Sequence, residues 1–291
     1  MKRSLIKENA VRYFFLGTAS VSIIIVVLIF LFLGKEAFPF LEDPGLSALL
    51  GSKWAPVSFI KESFGIYPLL TGSFLITLMA TLFSVPVGVL GAVYISEVAT
   101  YSERELFKPF IELLAGIPSV VLGFFGLVVV APLIKEIFGL SSGLTALTGA
   151  LLLALMAIPT IITISEDAIR SVPGSFKEAS LALGASKLQT IIRVTVPASL
   201  SGIIAAVMLG MGRVIGETMT VLMVTGNAAQ VTLSPFESVR TMTATVAAEM
   251  GEVPFGSAHY SALFCIGIIL LVITFGLNMI AMKVLKRYRM Q

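Results

Sequence analysis

The chain has 291 residues, of which 57% are hydrophobic and only 13% charged, and its mean hydropathy is +0.99. A soluble domain carries about a quarter charged residues, so this composition excludes a soluble fold with a large core and indicates a polytopic helical membrane protein. The net charge of +3 comes from dispersed basic residues, which excludes a clustered nucleic-acid surface. The single cysteine, Cys265, excludes an intrachain disulfide or Cys-based metal site, and the lone histidine, His259, has no partner at metal-ligand spacing.

Several windows free of charge reach the roughly 20 residues that a helix needs to cross the hydrocarbon core. They predict an all-α chain with six transmembrane helices: Tyr13 to Leu33, Leu69 to Tyr94, Ile111 to Val130, Leu144 to Ser165, Ala198 to Met223 and Tyr260 to Leu285. The opening MKRSLIKENAVR resembles a signal-peptide n-region, but the apolar run that follows is long and FLFLGKEAF offers no cleavage site, so it is expected to remain as the first helix. With the N-terminus in the cytoplasm, cytoplasmic segments hold fourteen of the 20 Lys and Arg, the outer segments hold Lys35, Lys53, Lys61, Lys135 and Arg240, and Arg213 alone lies within a span. That asymmetry puts both termini in the cytoplasm. Residues 1–68 read as a first helix plus a turn-rich outer loop from Gly34 to Pro68, 69–285 as the domain of the other five spans, and 286–291 as a basic tail. The outer loop is a connector or a docking surface, and Trp54 and Tyr67 suit the membrane interface. The outer segment TMTATVAAEMG is apolar enough to dip back toward the membrane.

The cytoplasmic loop 165–197 has more local order than a connector needs. Ser175 and Glu178 read as one capping box and Ser186 and Gln189 as a second. Phe176, Ala179 and Leu183 follow at helical spacing, and Gly184 supplies a stop. Two short helices are therefore expected here, either resting on lipid or forming a knob that a cytoplasmic partner grips.

Glu178-Ala179-Ser180, with Gly184 four residues after Ser180 and Ile192 and Pro197 beyond, resembles the EAA motif of ABC-importer membrane subunits. The resemblance implies a type I, MetI-like permease fold whose loop is a coupling helix seated in a groove of the ATPase. Phe176, Lys177, Glu178, Ala179, Ser180, Leu183, Gly184 and Ala185 would then form the coupling surface. Ser180 departs from the family, which has a second Ala there. IPSVVLGFFGL, GRVIGETMTVLMVTGN and TMTATVAAEMGE with HYSALF beyond are similar to the PstC family of phosphate-importer permeases. The sister PstA family shares the Gly-Arg-x-x-Gly-Glu-Thr core, but there Ala-Pro follows it where this chain has Met219-Thr220. The resemblance implies phosphate import across the cytoplasmic membrane, with a PstA-like second permease subunit, two cytoplasmic ATPase subunits and an external phosphate-binding protein.

Arg213 and Glu217 interrupt an otherwise apolar span. A charge at mid-membrane costs about 2.5–3.5 kcal/mol on insertion scales, so such residues face protein or a watery path. At positions i and i+4 the two share a helix face and can pair, and Gly212 and Gly216 form a G-x-x-x-G that lets another helix approach. Two roles stay open: a mutually neutralised helix lock, or a polar path in which Arg213 attracts an anion and Glu217 steadies the guanidinium. Thr218 and Thr220 either line the same path or satisfy helix carbonyls. Glu97 and Glu112 are expected to be solvated near the cytoplasmic ends, Ser119 to satisfy a carbonyl freed by Pro118, Asn278 to join helices and Cys265 to pack. No G-x-x-x-x-G-K-[ST] occurs, so the chain has no P-loop of its own. ATP would be used by partner subunits, with no cofactor or catalytic residue in this chain. Rival readings are a permease for another oxyanion and an ATP-independent channel or carrier.

Overall fold

The computed structural model describes residues 2–58 and 61–288. Phe59 and Ile60 of the outer loop, and the tail from Arg289 onward, lie outside the described residues. The first helix, α1 (Lys2–Glu42), is followed by a 3-10 turn (Leu46–Leu50) and a minimal antiparallel hairpin of β1 (Trp54–Ala55) and β2 (Ser63–Phe64), with Trp54 opposite Phe64. Helix α2 (Tyr67–Val93) carries Pro68 in its first turn, where the missing N–H costs nothing, and continues through a π turn at Tyr94–Val98. Helix α3 (Tyr101–Gly116) starts at a capping box between Thr100 and Glu103. After Ile117-Pro118 come α4 (Ser119–Phe125), a π turn (Gly126–Val130) and α5 (Ala131–Phe138), closed by Gly139 at φ +63°. Next are α6 (Ala146–Arg170), α7 (Gly174–Ala182), α8 (Lys187–Thr190), α9 (Val196–Ala198), α10 (Leu200–Gly216), α11 (Met219–Val224), α12 (Met242–Glu249) and α13 (Ala258–Tyr288).

Among the described residues, five helices are long and apolar enough to cross a membrane, and a sixth span is assembled from pieces bent by 68° between Ala198 and Leu200. Three expected boundaries change. The first helix runs on to Glu42, so about a quarter of the expected outer loop belongs to it. The third span lies at Ser119–Phe138 rather than 111–130, because Pro118 has no N–H to continue α3, whose exposed, amphipathic turns form a separate helix. The fifth span is not continuous to Met223: it stops at Gly216 and restarts at Met219. The segment expected to dip back toward the membrane forms α12, which packs against α2, α11 and α13 and buries Met242, Thr243, Ala244 and Thr245.

The bundle is organised on α6, which has 61% of its most apolar window buried against 28% or less in the other spans. Close approach of α2 and α10 to α6 depends on two glycines. A Cβ on Gly88 would lie 2.6 Å from Cγ2 of Ile161, and one on Gly210 would lie 2.7 Å from its Cγ1. α1 stays peripheral, with Val11 to Phe32 largely exposed as lipid-facing surface and only Ala37 and Phe40 buried near its end. The end of the bundle bearing β1 and β2 is called the hairpin end here, and the end bearing α7 and α8 the loop end.

At the hairpin end, Phe40, Trp54, Phe64, Leu69 and Leu263 form a second core. A polar cluster closes it. The Glu249 carboxylate accepts from Trp54 Nε1 at 3.1 and 3.2 Å, lies 2.8 Å from His259 Nε2 and 2.5 Å from Arg240 Nη1. Burial pushes its pKa up, but the His259 hydrogen bond, the Arg240 guanidinium and the Trp54 N–H together hold it below the ordinary value of 4.5.

Two measurements check this packing. A Cβ on Gly72 would sit 2.4 Å from the Arg240 carbonyl oxygen, whereas one on Gly212 meets nothing within 4 Å. Gly72→Ala should therefore lower the thermal midpoint in detergent by the equivalent of about 1–3 kcal/mol, while Gly212→Ala leaves it unchanged or slightly raised. The second uses Trp54, the only tryptophan. Because the Glu249 pKa is depressed on folding, the stability it contributes is fully present above the ordinary carboxylate value and is lost as pH falls through the lower folded value. The Trp54 emission should hold constant from neutrality down to pH 4.5 and shift red only below it. In Glu249→Gln that acid transition disappears.

Candidate functional site

The break in the fifth span decides what Arg213 and Glu217 do. Helix α10 ends at Gly216, and Glu217 takes an extended backbone, φ −71° and ψ 135°. The helical register that would place Glu217 beneath Arg213 is lost one residue before it is needed. No ion pair joins the two among the described residues, so mutual neutralisation is not their role. Arg213 Nη1 instead donates to Thr160 Oγ1 at 3.3 Å and Nη2 to the Ala115 carbonyl at 3.5 Å. Glu217 Oε1 accepts the Thr220 N–H at 3.3 Å, capping α11. Arg213 thus sits half-buried in the last turn of α10, where the helix dipole favours a cation, with two long contacts and no carboxylate.

A second break faces the first. In a continuous helix the Ala115 carbonyl would accept the Ser119 N–H, but the chain breaks at Ile117-Pro118 and Arg213 takes that carbonyl. Thr220 Oγ1 donates to the Ser119 carbonyl at 3.0 Å and is fully buried. Of the two roles open to it, Thr220 therefore takes the satisfaction of a helix carbonyl. Thr218 Oγ1 donates to the Gly216 carbonyl at 3.3 Å and stays at the half-buried surface. The main-chain oxygen of Glu217 accepts from Thr243 Oγ1 at 2.8 Å. The first turns of α4, α11 and α12 therefore meet at this point, each bringing the positive end of its dipole. Gly212 and Gly216 do not pack against a helix of this chain: both are exposed, with nothing within 4 Å of an added Cβ.

The loop-end helices form as a pair. Ser186 and Gln189 make the expected capping box, at 2.9 and 3.3 Å. Ser175 and Glu178 do not, because α7 begins at Gly174 with Pro173 as its cap residue, which already places Ser175 inside the helix. Gly184 ends α7 at φ +84°, and the next N–H, from Ala185, returns to the Ser180 carbonyl at 3.2 Å. The departure at Ser180 has a structural use: its hydroxyl bonds Thr190 Oγ1 at 2.9 Å and ties α7 to α8. Phe176 and Leu183, 89% exposed, stand beside a groove of about 460 Å³ that also takes in Ala179, Ser180 and Ala185. Glu178 is exposed. Lys177 forms an ion pair with Glu97 at 2.5 Å, so Glu97 is not solvated as expected but holds α7 against the end of the second span. Glu97 and Lys177 lie 80 residues apart, a separation at which no spacing rule operates.

Sequence reasoning also missed Glu166, 2% exposed and held by Arg170 at 3.1 Å and Lys108 at 3.7 Å. Its only available signal was the i, i+4 step from Glu166 to Arg170. Cys265 is buried, as expected of a packing residue.

Known proteins agree with this architecture. Residues 84–290 match the family model for binding-protein-dependent transport system inner membrane components. A probable ABC transporter permease protein, YqgH of Bacillus subtilis, is 38% identical over 246 residues, covering 81% of this chain and 80% of that one. The phosphate transport system permease protein PstC of Mesorhizobium japonicum is 35% identical, covering 84% and 79%, and that of Xylella fastidiosa is 32% identical, covering 97% and 93%. Among solved structures, a chain of the inward-facing MetNI methionine ABC transporter aligns with a TM-score of 0.60 at 17% identity, over 85% of this chain and 99% of that one. A chain of a bacterial alginate ABC transporter, in complex with its periplasmic protein, aligns at 0.62 and 18% identity over 93% of each. At these identities the structures speak for the fold, and the family model and sequence relatives for descent: the chain belongs to the binding-protein-dependent transport system inner membrane components, the permeases of ABC transporters.

Proposed function

We propose that this chain is the PstC-like permease subunit of an ATP-driven importer that carries inorganic phosphate across the cytoplasmic membrane. The observation that carries the reading is Arg213: a half-buried guanidinium with no carboxylate partner among the described residues, set between the chain breaks at Ile117-Pro118 and Glu217-Thr218. Half-helix N-termini pointed at an anion are a recurring device for holding negative substrate groups at mid-membrane, and a guanidinium fork matches phosphate oxygens. Its two contacts, at 3.3 and 3.5 Å, are long enough to be exchanged for substrate oxygens. Relatives named as phosphate permeases support the same substrate.

The chain itself is non-catalytic in this reading. Two ATPase subunits grip the exposed Phe176 and Leu183 at the loop end, which the Lys and Arg asymmetry assigns to the cytoplasm along with both termini. A PstA-like second permease subunit closes the path on the open face of α10, where Gly212 and Gly216 are free to admit a neighbouring helix. An external phosphate-binding protein delivers the ion at the hairpin end. ATP-driven closure moves α7, and α6 and α10 rock so that Arg213 is presented outward, then inward. Glu217 takes part as the cap of α11 rather than as the counter-ion of Arg213.

Uptake of labelled phosphate into vesicles holding the whole assembly tests the substrate role. Arg213→Gln should lower uptake by roughly tenfold to a hundredfold, the worth of a charge-assisted hydrogen bond of about 1.5–3 kcal/mol, with assembly and ATP hydrolysis retained. Loss of assembly instead would make Arg213 a structural element and sink its assignment to the path. The loop assignment is tested by co-purification. Leu183→Asp puts a charge at an 89% exposed position with little packing to lose, so the chain should fold and insert normally but fail to retain the ATPase subunits. Retention at wild-type levels would move the ATPase contact elsewhere.

A further inference from the structure

The Glu249 cluster and the break beside Arg213 are the two ends of one short helix. α12 is eight residues long, about 12 Å. At its far end the Glu249 carboxylate gathers Trp54 of the hairpin, Arg240 of the segment before α12 and His259 of the last span. At its near end Thr243 Oγ1 donates to the Glu217 carbonyl, and the Met242 N–H donates to Ser73 Oγ at 3.0 Å. Glu217 has left the helical register, so its carbonyl depends on α12 for that bond. Its side chain in turn caps α11, four residues along the chain from Arg213. The carboxylate also lines a cleft of about 370 Å³ at the hairpin end, with Trp54, Val57, Arg240, Pro254 and His259 on its walls. Val57 beside it is 83% exposed and Phe255 82% exposed.

We infer that Glu249 is a positioning residue for the Arg213 site: it fixes α12, and α12 fixes the conformation of the Glu217 break. Contact made at the hairpin-end cleft is thereby passed to the anion path through one rigid turn-and-a-half of helix and the Thr243 hydroxyl. The inference rests on the reading of Arg213 as part of the path. The cluster lines the cavity, the break lies elsewhere in the sequence, and α12 carries hydrogen bonds at both ends.

Amide hydrogen exchange of the full chain in the assembled transporter tests it, comparing wild type with Glu249→Gln, Thr243→Val and the double variant. Each single change should speed exchange severalfold at residues 217–224 while 146–170 in α6 stays at the wild-type rate, and the double should exceed neither single. Glu249→Asp, which keeps the charge on a shorter arm, should recover most of the protection. Faster exchange in α12 with 217–224 unchanged, or effects that add in the double, would overturn the relay. If Glu249→Gln does not assemble, His259→Gln removes a single contact of the carboxylate and is judged by the same two outcomes. Phosphate uptake on the same samples separates the two readings. Coupled exchange without phosphate uptake upholds the relay and removes the substrate assignment, whereas uptake without coupled exchange removes the relay alone.

Discussion

Hydrocarbon offers no hydrogen-bond partner to a peptide group, so a helix can break inside a membrane only where protein supplies the missing partners. The chain interrupts its helices at Ile117-Pro118, where α3 ends ahead of the third span, and at Glu217-Thr218, where α10 ends, and side chains beside each break and from α12 bond across them. Arg213 takes the Ala115 carbonyl, Thr220 takes the Ser119 carbonyl, Thr243 takes the Glu217 carbonyl, and Glu217 accepts the Thr220 N–H. These bonds tie the two breaks together and create a polar patch with the first turns of α4, α11 and α12 around it.

Charge placement separates that patch from the other charges of the interior. Glu166 is buried in α6, but Arg170 and Lys108 both stand against it, as the cost of an unpaired buried charge requires. Lys177 and Glu97 pair across two elements. Arg213 breaks this pattern. Its hydrogen-bond partners among the described residues are a hydroxyl and a carbonyl, which stabilise a guanidinium without cancelling its charge. A helix lock needs no net charge, and the Glu166 cluster shows how this chain builds one. An uncancelled cation between loosened helices is instead suited to a passing anion.

The hydrophobic runs and the loop punctuation made much of this legible in advance. Charge-free windows located the spans because burial in lipid is a compositional demand, and Ser186, Gln189 and Gly184 acted as cap and stop because those roles depend on residues one to three positions apart. The break at Glu217 escaped, since Gly216-Glu217-Thr218 contains no proline and its partners, Thr243 and Ser119, are far along the chain. The Ser175–Glu178 box misled for a complementary reason: the local pattern was present, but Pro173 had already begun the helix. The Glu249 cluster joins Trp54 to a residue 195 positions away, and no periodicity reaches so far. Long-range polar contacts are set by packing, which a single sequence does not display.

The packing also determines how force applied at the loop end would spread. α7 is continuous with α6, its partner α8 leads through α9 into α10, and the Lys177–Glu97 pair fastens α7 to the end of the second span. Those spans are locked around Ile161, which Gly88 of α2 and Gly210 of α10 approach so closely that no side chain fits between. Displacing α7 therefore cannot move one of the three without the others. Arg213 lies three residues beyond Gly210, so it sits just past a close contact of α10 with α6 and next to the end of its helix. A rigid segment that ends in a break converts a movement of the whole helix into a change at the break, because Glu217, with its extended backbone, is the first residue of the span to leave the helical conformation.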